Sequence, residues 1–235
     1  MNANDVKQKL MSLASPDVAK SSMRFFKTGP GQYGEGDTFI GIKVPTLRAV
    51  SREFRSLPLE DIRSLLSSPI HEERHLALMI LVWQVAKRDD DYRRAAFDFY
   101  LENTKFINNW DLVDSSAPHV VGGYLLGRSR KPLFQLSKSN SLWERRIAIV
   151  STQLFIRHDD FDDTLAISEK LLNDQEDLIH KASGWMLREV GQKAQAVLEA
   201  FLDQHAAAMP RTMLRYAIEK LPPEQRHAYL DRKRT

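Results

Sequence analysis

The chain has 235 residues, of which 43% are hydrophobic and 28% are charged, and this is the composition of an ordinary globular protein. It contains no cysteine, which excludes disulfide bonds and thiolate metal sites and is typical of a reducing compartment. The net charge of +3 permits nucleic-acid binding without requiring it, because the distribution of charge matters more than its sum.

The pattern of apolar residues predicts neither a secretory signal nor a membrane span. The first residues, MNANDVKQKLMSLA, are polar and include an acidic residue, which is unlike the charged start and apolar run of a signal peptide. The run at residues 76–85 is broken by Trp83 and Gln84 and falls short of the roughly 18 apolar residues of a spanning helix. These features predict a cytoplasmic protein without a membrane partner.

Apolar residues recur at helical spacing through nearly the whole chain, and no segment alternates with the period of a strand. Glycines and a proline crowd residues 27–39 and predict a loop there. Helices are predicted, in chain order, at residues 6–13, 16–26, 45–54, 58–66, 68–83, 89–101, 110–116, 121–125, 132–136, 142–156, 161–172, 176–190, 194–205, 210–220 and 222–230. The pattern therefore predicts an all-α fold.

The segment NNWDLVD, residues 108–114, pairs an aromatic ring with a carboxylate. Asn109 is a good N-cap residue, so Trp110 is predicted at the first helical position, and Pro118 is predicted to break or kink the helix. Trp110 and Asp114 are four residues apart and share one helix face. A ring face and a carboxylate both attract cations, so the pair is suited to hold a positively charged group. A core tryptophan beside an exposed aspartate is the alternative interpretation.

Five segments repeat at intervals of about 35 residues, the size of a two-helix solenoid repeat. The aligned row consists of His75, Trp110, Arg146, Lys181 and Arg215. One turn further along are Met79, Asp114, Val150, Trp185 and Glu219. The interval predicts that residues 1–235 form a single domain of about six antiparallel helix pairs, curved into a C shape with a concave basic face. Five short segments can also be aligned by chance, and that alternative stays open.

The motif His71-Glu72-Glu73-Arg74-His75 matches H-E-x-x-H, in which two histidines bind zinc and the glutamate acts as a general base. No third ligand is marked downstream, and glutamates in a first helical turn also complement the helix dipole. A zinc hydrolase is therefore kept as an alternative, and no metal or other cofactor is expected.

Three other patterns indicate ordinary structure. The glycine-rich loop GPGQYGEGD lacks the Lys-Ser/Thr of a phosphate-binding P-loop. No G-x-S-x-G elbow supports a Ser/His/Asp triad. The basic run Arg232-Lys233-Arg234 is typical of a solvated tail.

Several stretches match a known family over roughly residues 25–230. They are PGQYGEGDTFIGIKVPTLR, NNWDLVD, WERRIAIV, KASGWMLREVG and MPRTMLRYAIEKLP. With these stretches the chain resembles the AlkD-like bacterial DNA alkylation repair glycosylases, which are built from HEAT-like repeats. The resemblance implies a HEAT-like helical-repeat solenoid. The glycine-rich loop of this chain, residues 29–36, is longer than the corresponding loop of the best-known family members.

The resemblance also implies roles for individual residues. Trp110 and Asp114 match the aromatic and acidic residues that face the lesion, and Trp185 matches the second aromatic residue of the cleft. Arg146 matches a basic residue that contacts DNA beside the lesion, and Lys43 stands where some members use a polar residue. Members act on duplex DNA and remove positively charged N3- or N7-alkylated purines without flipping the base into a pocket.

The chemistry of these lesions suits the residues. An alkylated purine is cationic and leaves as a neutral base, so one carboxylate can suffice where ordinary glycoside hydrolysis uses two. Asp114 is predicted to stabilise the oxocarbenium-like sugar, with Trp110 and Trp185 packed against it. The predicted DNA contacts are Arg146, Lys181, Arg215, Lys43 and His75. We expect a monomer that binds double-stranded DNA containing alkylated purines, and a non-catalytic DNA- or protein-binding scaffold remains the main alternative.

Overall fold

Helices form nearly all the regular structure in residues 1–232, the part of the chain that the computed structural model describes. No β-strand occurs within those residues, where the nearest approach to a sheet is an isolated parallel bridge between Thr38 and Ile70. This confirms the predicted all-α class. Of the basic run predicted to be a solvated tail, Lys233 and Arg234 lie outside the described residues. None of the helices described is both long and apolar enough to cross a membrane.

The chain forms two compact units, the first being Met1–Val120 and the second beginning at Val121. Seven α-helices build the first unit. They are α1 (Ala3–Ser12), α2 (Pro16–Phe25), α3 (Val44–Glu53), α4 (Leu59–Leu66), α5 (His71–Val85), α6 (Asp90–Glu102) and α7 (Trp110–Ala117), with a short 3₁₀ turn at Thr104–Phe106. The predicted curvature and concave basic face concern the arrangement of the whole chain, and they stay predictions.

Helix α5 is the centre of the first unit. It packs against α3, α4, α6 and α7, and its residues are buried on nearly every side. A helix that is covered all round cannot point its polar side chains at solvent, so the polar residues of its first turns must find partners inside the protein. Those residues, His71 to His75, supply much of the site described below.

Nine α-helices follow in the described part of the second unit, up to residue 232. They are α8 (Gly123–Leu125), α9 (Lys131–Leu136), α10 (Leu142–Ser151), α11 (Gln153–Arg157), α12 (Asp162–Lys170), α13 (Asp177–Lys193), α14 (Gln195–His205), α15 (Arg211–Ala217) and α16 (Pro223–Leu230). Helix α13 is central here and packs against α10, α14 and α15. The helix predicted at residues 142–156 is two helices, which meet at Thr152.

Helix α7 begins and ends where its sequence predicts. Asn109 caps it, accepting a hydrogen bond from the backbone N–H of Trp110 at 2.8 Å, and Trp110 is its first residue. At Pro118 the chain turns into a π-helical segment, Pro118–Gly122, because proline has no N–H to continue the α-helical ladder. The α-helix is therefore interrupted at the proline that was predicted to break or kink it.

The aligned row of the sequence repeat needs one correction. Counted from His71, Leu142, Asp177 and Arg211, the residues His75, Arg146, Lys181 and Arg215 are each the fifth residue of their helices. Trp110 is instead the first residue of α7, and its fifth residue is Asp114. The difference arises because Asn109 sets the start of α7. The residue that shares the helical position of the four basic ones is thus the carboxylate Asp114.

Gly184 permits the close approach of α13 and α15. A Cβ atom at this position would lie 2.4 Å from the carbonyl oxygen of Met213 and 2.6 Å from the Cβ of Tyr216. We expect Gly184→Ala to lower the free energy of unfolding by about 1–3 kcal/mol through overpacking, as measured by denaturant unfolding. Gly123→Ala is the control, because its Cβ would meet Leu154 at an ordinary 3.8 Å. Equal stability of the two variants would show that the close approach of α13 and α15 does not require glycine at position 184.

Candidate functional site

A cleft of about 720 Å³ opens in the first unit and is lined by residues of α2, α3, α5 and α7. Clefts of this size accommodate small organic groups such as a nucleobase with its sugar. The lining combines aromatic, basic and acidic side chains, a mixture suited to a ligand with both a flat ring and charges. Aromatic, charged and hydroxyl side chains in the lining include Phe25, Phe26, Lys43, Arg48, Arg52, His71, His75, Trp83, Trp110, Asp111, Asp114 and Ser115.

Trp110 is held at the cleft by three neighbours. Phe26 stacks on its ring with centroids 5.2 Å apart, and Phe25 packs against it edge-on at 5.7 Å. The indole N–H donates a hydrogen bond to the hydroxyl of Tyr33 at 3.2 Å. Tyr33 belongs to the glycine-rich loop that precedes α3, so this loop is part of the site. The arrangement fixes the orientation of a half-buried indole that also lines the cleft.

Asp114 lies one helical turn after Trp110 and lines the same cleft. Its side chain is partly exposed, whereas Leu112 and Val113 are fully buried. The sequence predicts this division, since α7 must turn its apolar side to the core and its polar side outward. Trp110 and Asp114 therefore offer an aromatic ring and a carboxylate to one space.

A largely buried network of charged groups lies beside the cleft, and two of its members, His71 and Asp111, line the cleft. The Nδ1 of His71 donates to Asp37 at 3.0 Å, and its Nε2 donates to Asp111 at 2.8 Å. The other carboxylate oxygen of Asp37 accepts from Arg74 at 2.5 Å. Asn109, the cap of α7, donates its side-chain N–H to Asp37 at 3.2 Å. The network thus joins the glycine-rich loop to the starts of α5 and α7.

The network keeps its members ionised. Burial alone lowers the pKa of His71, but the hydrogen bonds to Asp111 and Asp37 outweigh it and raise the pKa to about 9. Burial likewise favours a protonated Asp37 and Asp111, yet their hydrogen bonds to His71 and the nearby positive charges bring both pKa values below the ordinary one. At neutral pH the site therefore holds a buried imidazolium between two carboxylates.

The glutamate of the H-E-x-x-H motif has a structural role. Glu72 accepts hydrogen bonds from the backbone N–H groups of Ile40, Gly41 and Ile42 at 2.7–3.2 Å. A carboxylate committed to three backbone donors is poorly placed to act as a general base. This contact, together with the positive φ of Gly41, holds the segment that leads into α3.

The two histidines of the motif meet a third donor that the sequence did not mark. Ligand atoms of His71, His75 and Asp111 lie within 4.8 Å of one another, a spacing that could suit a metal ion. Both ring nitrogens of His71, however, already donate to carboxylates, so a metal would have to displace a favourably bonded proton. We therefore interpret the three residues as a hydrogen-bonded network, which argues against the zinc hydrolase alternative.

His75 does not lie at a DNA-accessible surface. Its side chain is 5% exposed, and its ring nitrogens lie 3.4 Å from Asp111 and 3.3 Å from the hydroxyl of Ser115. Burial lowers its pKa to about 4, so the ring is neutral at pH 7. The predicted contact between His75 and a phosphate is not supported, because the residue is neither charged nor exposed.

The other predicted DNA contacts differ in exposure. Lys43 is exposed at the start of α3 and lines the cleft, and Arg215 is exposed on α15. Lys181 is paired with Asp177 at 2.8 Å. Arg146 is only 5% exposed and donates to the carbonyl of Leu178 at 2.5 Å, so it offers little surface to a phosphate.

The structure places Trp110, Asp114 and Lys43 around one cleft in the first unit. Trp185 belongs to α13 of the second unit, where its half-buried indole donates a hydrogen bond to Glu189 at 3.1 Å. Arg146, Lys181 and Arg215 also belong to the second unit. That they face the same DNA as the cleft stays a prediction.

A family model described as "DNA alkylation repair enzyme" matches residues 6–221. The chain belongs to this family. Among solved structures, it is similar to a predicted DNA alkylation repair enzyme from Enterococcus faecalis, with a TM-score of 0.70 and 17% sequence identity over 89% of this chain and 97% of that one. At that identity the likeness shows the fold. No curated protein matches the chain.

Membership of the DNA alkylation repair family gives the cleft a chemical context. The family acts in the repair of alkylated DNA. A purine alkylated at a ring nitrogen is flat and positively charged, and the cleft presents an indole ring and a carboxylate four residues apart. The site also depends on residues that the sequence did not single out, namely Tyr33, Asp37 and Asp111. The sequence offered one signal for them. Polar residues begin helix α5, which is otherwise apolar on every side, and buried polar residues need partners inside the protein.

Proposed function

We propose that the protein is a DNA glycosylase that excises N3- and N7-alkylated, positively charged purines from duplex DNA. The observation that carries the proposal is the placement of Trp110 and Asp114 along one cleft. Family membership supports a repair role, and the chemistry of these two side chains supports a cationic lesion. Excision proceeds without flipping the base out of the duplex into a pocket.

Asp114 carries the catalytic step in this proposal. The glycosidic bond breaks with its electron pair moving to the purine nitrogen, so the cationic base leaves as a neutral molecule. The sugar becomes oxocarbenium-like, and the carboxylate of Asp114 stabilises the positive charge. A water molecule adds its oxygen to the anomeric carbon and gives up a proton to the carboxylate or to solvent. No general acid is needed, because the leaving base requires no proton.

Trp110 contributes through its ring. Its position is set by Phe26, Phe25 and Tyr33, so the indole presents a preorganised surface rather than one that must be ordered on binding. An indole beside a cationic sugar or base adds cation–π attraction. We assign Trp185 the same role from the second unit.

Phosphate contacts supply the affinity for duplex DNA. The proposed contacts are the exposed cations Lys43 and Arg215, and Lys181 on α13, whereas the buried Arg146 offers little surface to a phosphate. Phosphate contacts release condensed counterions, so affinity falls as salt rises. The proposal further takes the protein to be a cofactor-independent monomer that acts in the cytoplasm at the nucleoid.

Lys181 and Lys193 provide a matched test of DNA binding. Both lie on α13, both pair with an aspartate, and their side chains are 40% and 43% exposed. We expect Lys181→Ala to weaken binding to any duplex and to reduce the slope of log K against log salt by about 0.9, whereas Lys193→Ala leaves both unchanged. Fluorescence anisotropy with an undamaged duplex between 50 and 200 mM salt, values chosen for a measurable slope, gives the comparison. Identical slopes would remove Lys181 from the interface.

The catalytic part is tested by the release of free methylated base from methylated duplex DNA, with the wild type compared against Asp114→Asn. If the protein is a glycosylase of the proposed kind, the wild type releases free base and Asp114→Asn releases far less. A non-catalytic scaffold of the same fold binds DNA equally well with either residue and releases no base.

A further inference from the structure

His71 is the point where three segments of the first unit meet. It begins α5, it contacts Asp37 in the glycine-rich loop, and it contacts Asp111 in the first turn of α7. The imidazole is 2% exposed. A histidine so placed touches none of the reacting groups in the proposed reaction, yet Asp111 is the neighbour in sequence of Trp110.

Aromatic contacts make a second connection between His71 and Trp110. The imidazole stacks on Phe39, with ring centroids 4.5 Å apart and an angle of 23° between the ring planes. Phe39 stacks on Phe26 at 5.1 Å, and Phe26 stacks on Trp110 at 5.2 Å. The four rings therefore form a continuous series from the buried histidine to the cleft.

We propose that His71 is a positioning residue for Trp110, which holds the start of α7 through its hydrogen bond to Asp111 and so sets the indole against Phe26. The expected effect of His71 on excision rests on the proposed function, whereas its expected effect on the position of the indole does not. The hydrogen bond to Asp37 serves a different purpose and fixes the glycine-rich loop.

Histidine suits this role for a physical reason. A protonated imidazole carries donors on opposite sides of one flat ring, so it can bridge two carboxylates and stack on an aromatic neighbour at the same time. Hydrogen bonds between ionised partners are shorter and stronger than neutral ones. Asp111 also accepts the backbone N–H of Leu112 at 2.9 Å, which ties its carboxylate to the first turn of α7. Displacing that carboxylate displaces the turn that carries Trp110.

Two substitutions separate the two bonds of His71. The amide nitrogen of a glutamine falls near Nε2 of histidine, and that of an asparagine falls near Nδ1. His71→Gln therefore keeps a donor for Asp111, whereas His71→Asn keeps a donor for Asp37. Both remove the ring and its charge, so a general loss of stability affects them alike. His180→Gln is the control outside the site, since His180 is also hydrogen-bonded, to the carbonyl of Asp174.

The experiment measures the environment of Trp110 as well as excision. The emission of Trp110 is obtained as the difference between each protein and the same protein carrying Trp110→Phe, and its exposure follows from acrylamide quenching. We expect His71→Gln and His180→Gln to keep the wild-type emission and quenching. We expect His71→Asn to expose the indole and to slow single-turnover base release on the order of tenfold to a hundredfold.

Stability is controlled with a second variant. His71→Asn leaves Asp111, whose side chain is 12% exposed, without its charged partner, and the double variant His71→Asn/Asp111→Asn removes that charge while keeping the volume. We expect the double variant to fold and to retain the exposed indole. If the Asn and Gln variants place Trp110 alike, or if the double variant restores the wild-type emission, the proposal is overturned. Should the wild type release no base, the emission data still decide the inference, so its failure is distinct from failure of the proposed function.

Discussion

Asp114→Asn is expected to slow the release of alkylated purines from duplex DNA by on the order of 10²–10³, the usual effect of removing one preorganised electrostatic partner of a transition state. The carboxylate charge is what stabilises the developing oxocarbenium ion, and an amide of the same shape cannot supply it. The measurement is the single-turnover rate with duplex DNA in which 7-methylguanine is the lesion.

The same substitution should leave the fold and the affinity for DNA nearly unchanged. Asp114 is partly exposed on the polar side of α7, and asparagine preserves its volume. Asp98→Asn on α6 is the matched control, because Asp98 is an exposed aspartate in a surface pair with Arg94 and lies outside the cleft. An Asp114→Asn protein that excises as fast as the wild type would show that this carboxylate is not the catalytic one.

Asp37→Ala is expected to give the largest loss of stability, about 3–5 kcal/mol of the free energy of unfolding, because removing one partner of a buried ion pair leaves an uncompensated charge. The Asp37 side chain is 4% exposed and is bonded to Arg74 at 2.5 Å and to His71 at 3.0 Å. Its removal leaves the guanidinium of Arg74 without a carboxylate partner and leaves His71 with Asp111 alone. Asp160→Ala is the control, since Asp160 also pairs with an arginine, Arg130, at 3.0 Å but is 40% exposed. A surface pair of that kind contributes at most about 1 kcal/mol.

The network also gives the stability of the protein a defined dependence on pH. The pKa of His71 is raised from 6.5 to about 9, so its contribution is complete below pH 6.5 and is lost as the pH rises through about 9. The pKa values of Asp37 and Asp111 lie below 3.8, so their contributions are complete above pH 3.8 and are lost as the pH falls further. In Asp37→Ala the alkaline loss should shrink, because one of the two partners that raise the pKa of His71 is gone. Denaturant unfolding across this range checks both statements, and an unchanged alkaline loss would contradict the assignment to His71.

The sequence predicted the parts of this fold that local chemistry determines. The capping by Asn109, the first helical position of Trp110 and the interruption at Pro118 all depend on neighbouring residues and were confirmed. The partly exposed Asp114 followed from the apolar side of the same helix. The all-α class followed from the spacing of apolar residues along the whole chain.

The parts that the sequence missed depend on contacts between distant residues. Asp37 is 34 residues from His71, and Asp111 is 40 residues from it, so no local pattern links them. The H-E-x-x-H spacing correctly placed two histidines on one helix face, but it could not show that α5 is buried all round and that Glu72 is occupied by backbone donors. His75 was predicted to contact DNA because it belongs to a row of basic residues, but it is buried and offers little surface to a phosphate.

The proposed activity is cleavage of the glycosidic bond of cationic purines. The most direct test is to incubate the wild-type protein with methylated duplex DNA and to quantify free 7-methylguanine and 3-methyladenine by chromatography. We predict that both bases accumulate with time and with protein concentration, well above the spontaneous loss measured without protein. Binding of the duplex without any release above that background would contradict the proposed activity and identify a DNA-binding scaffold.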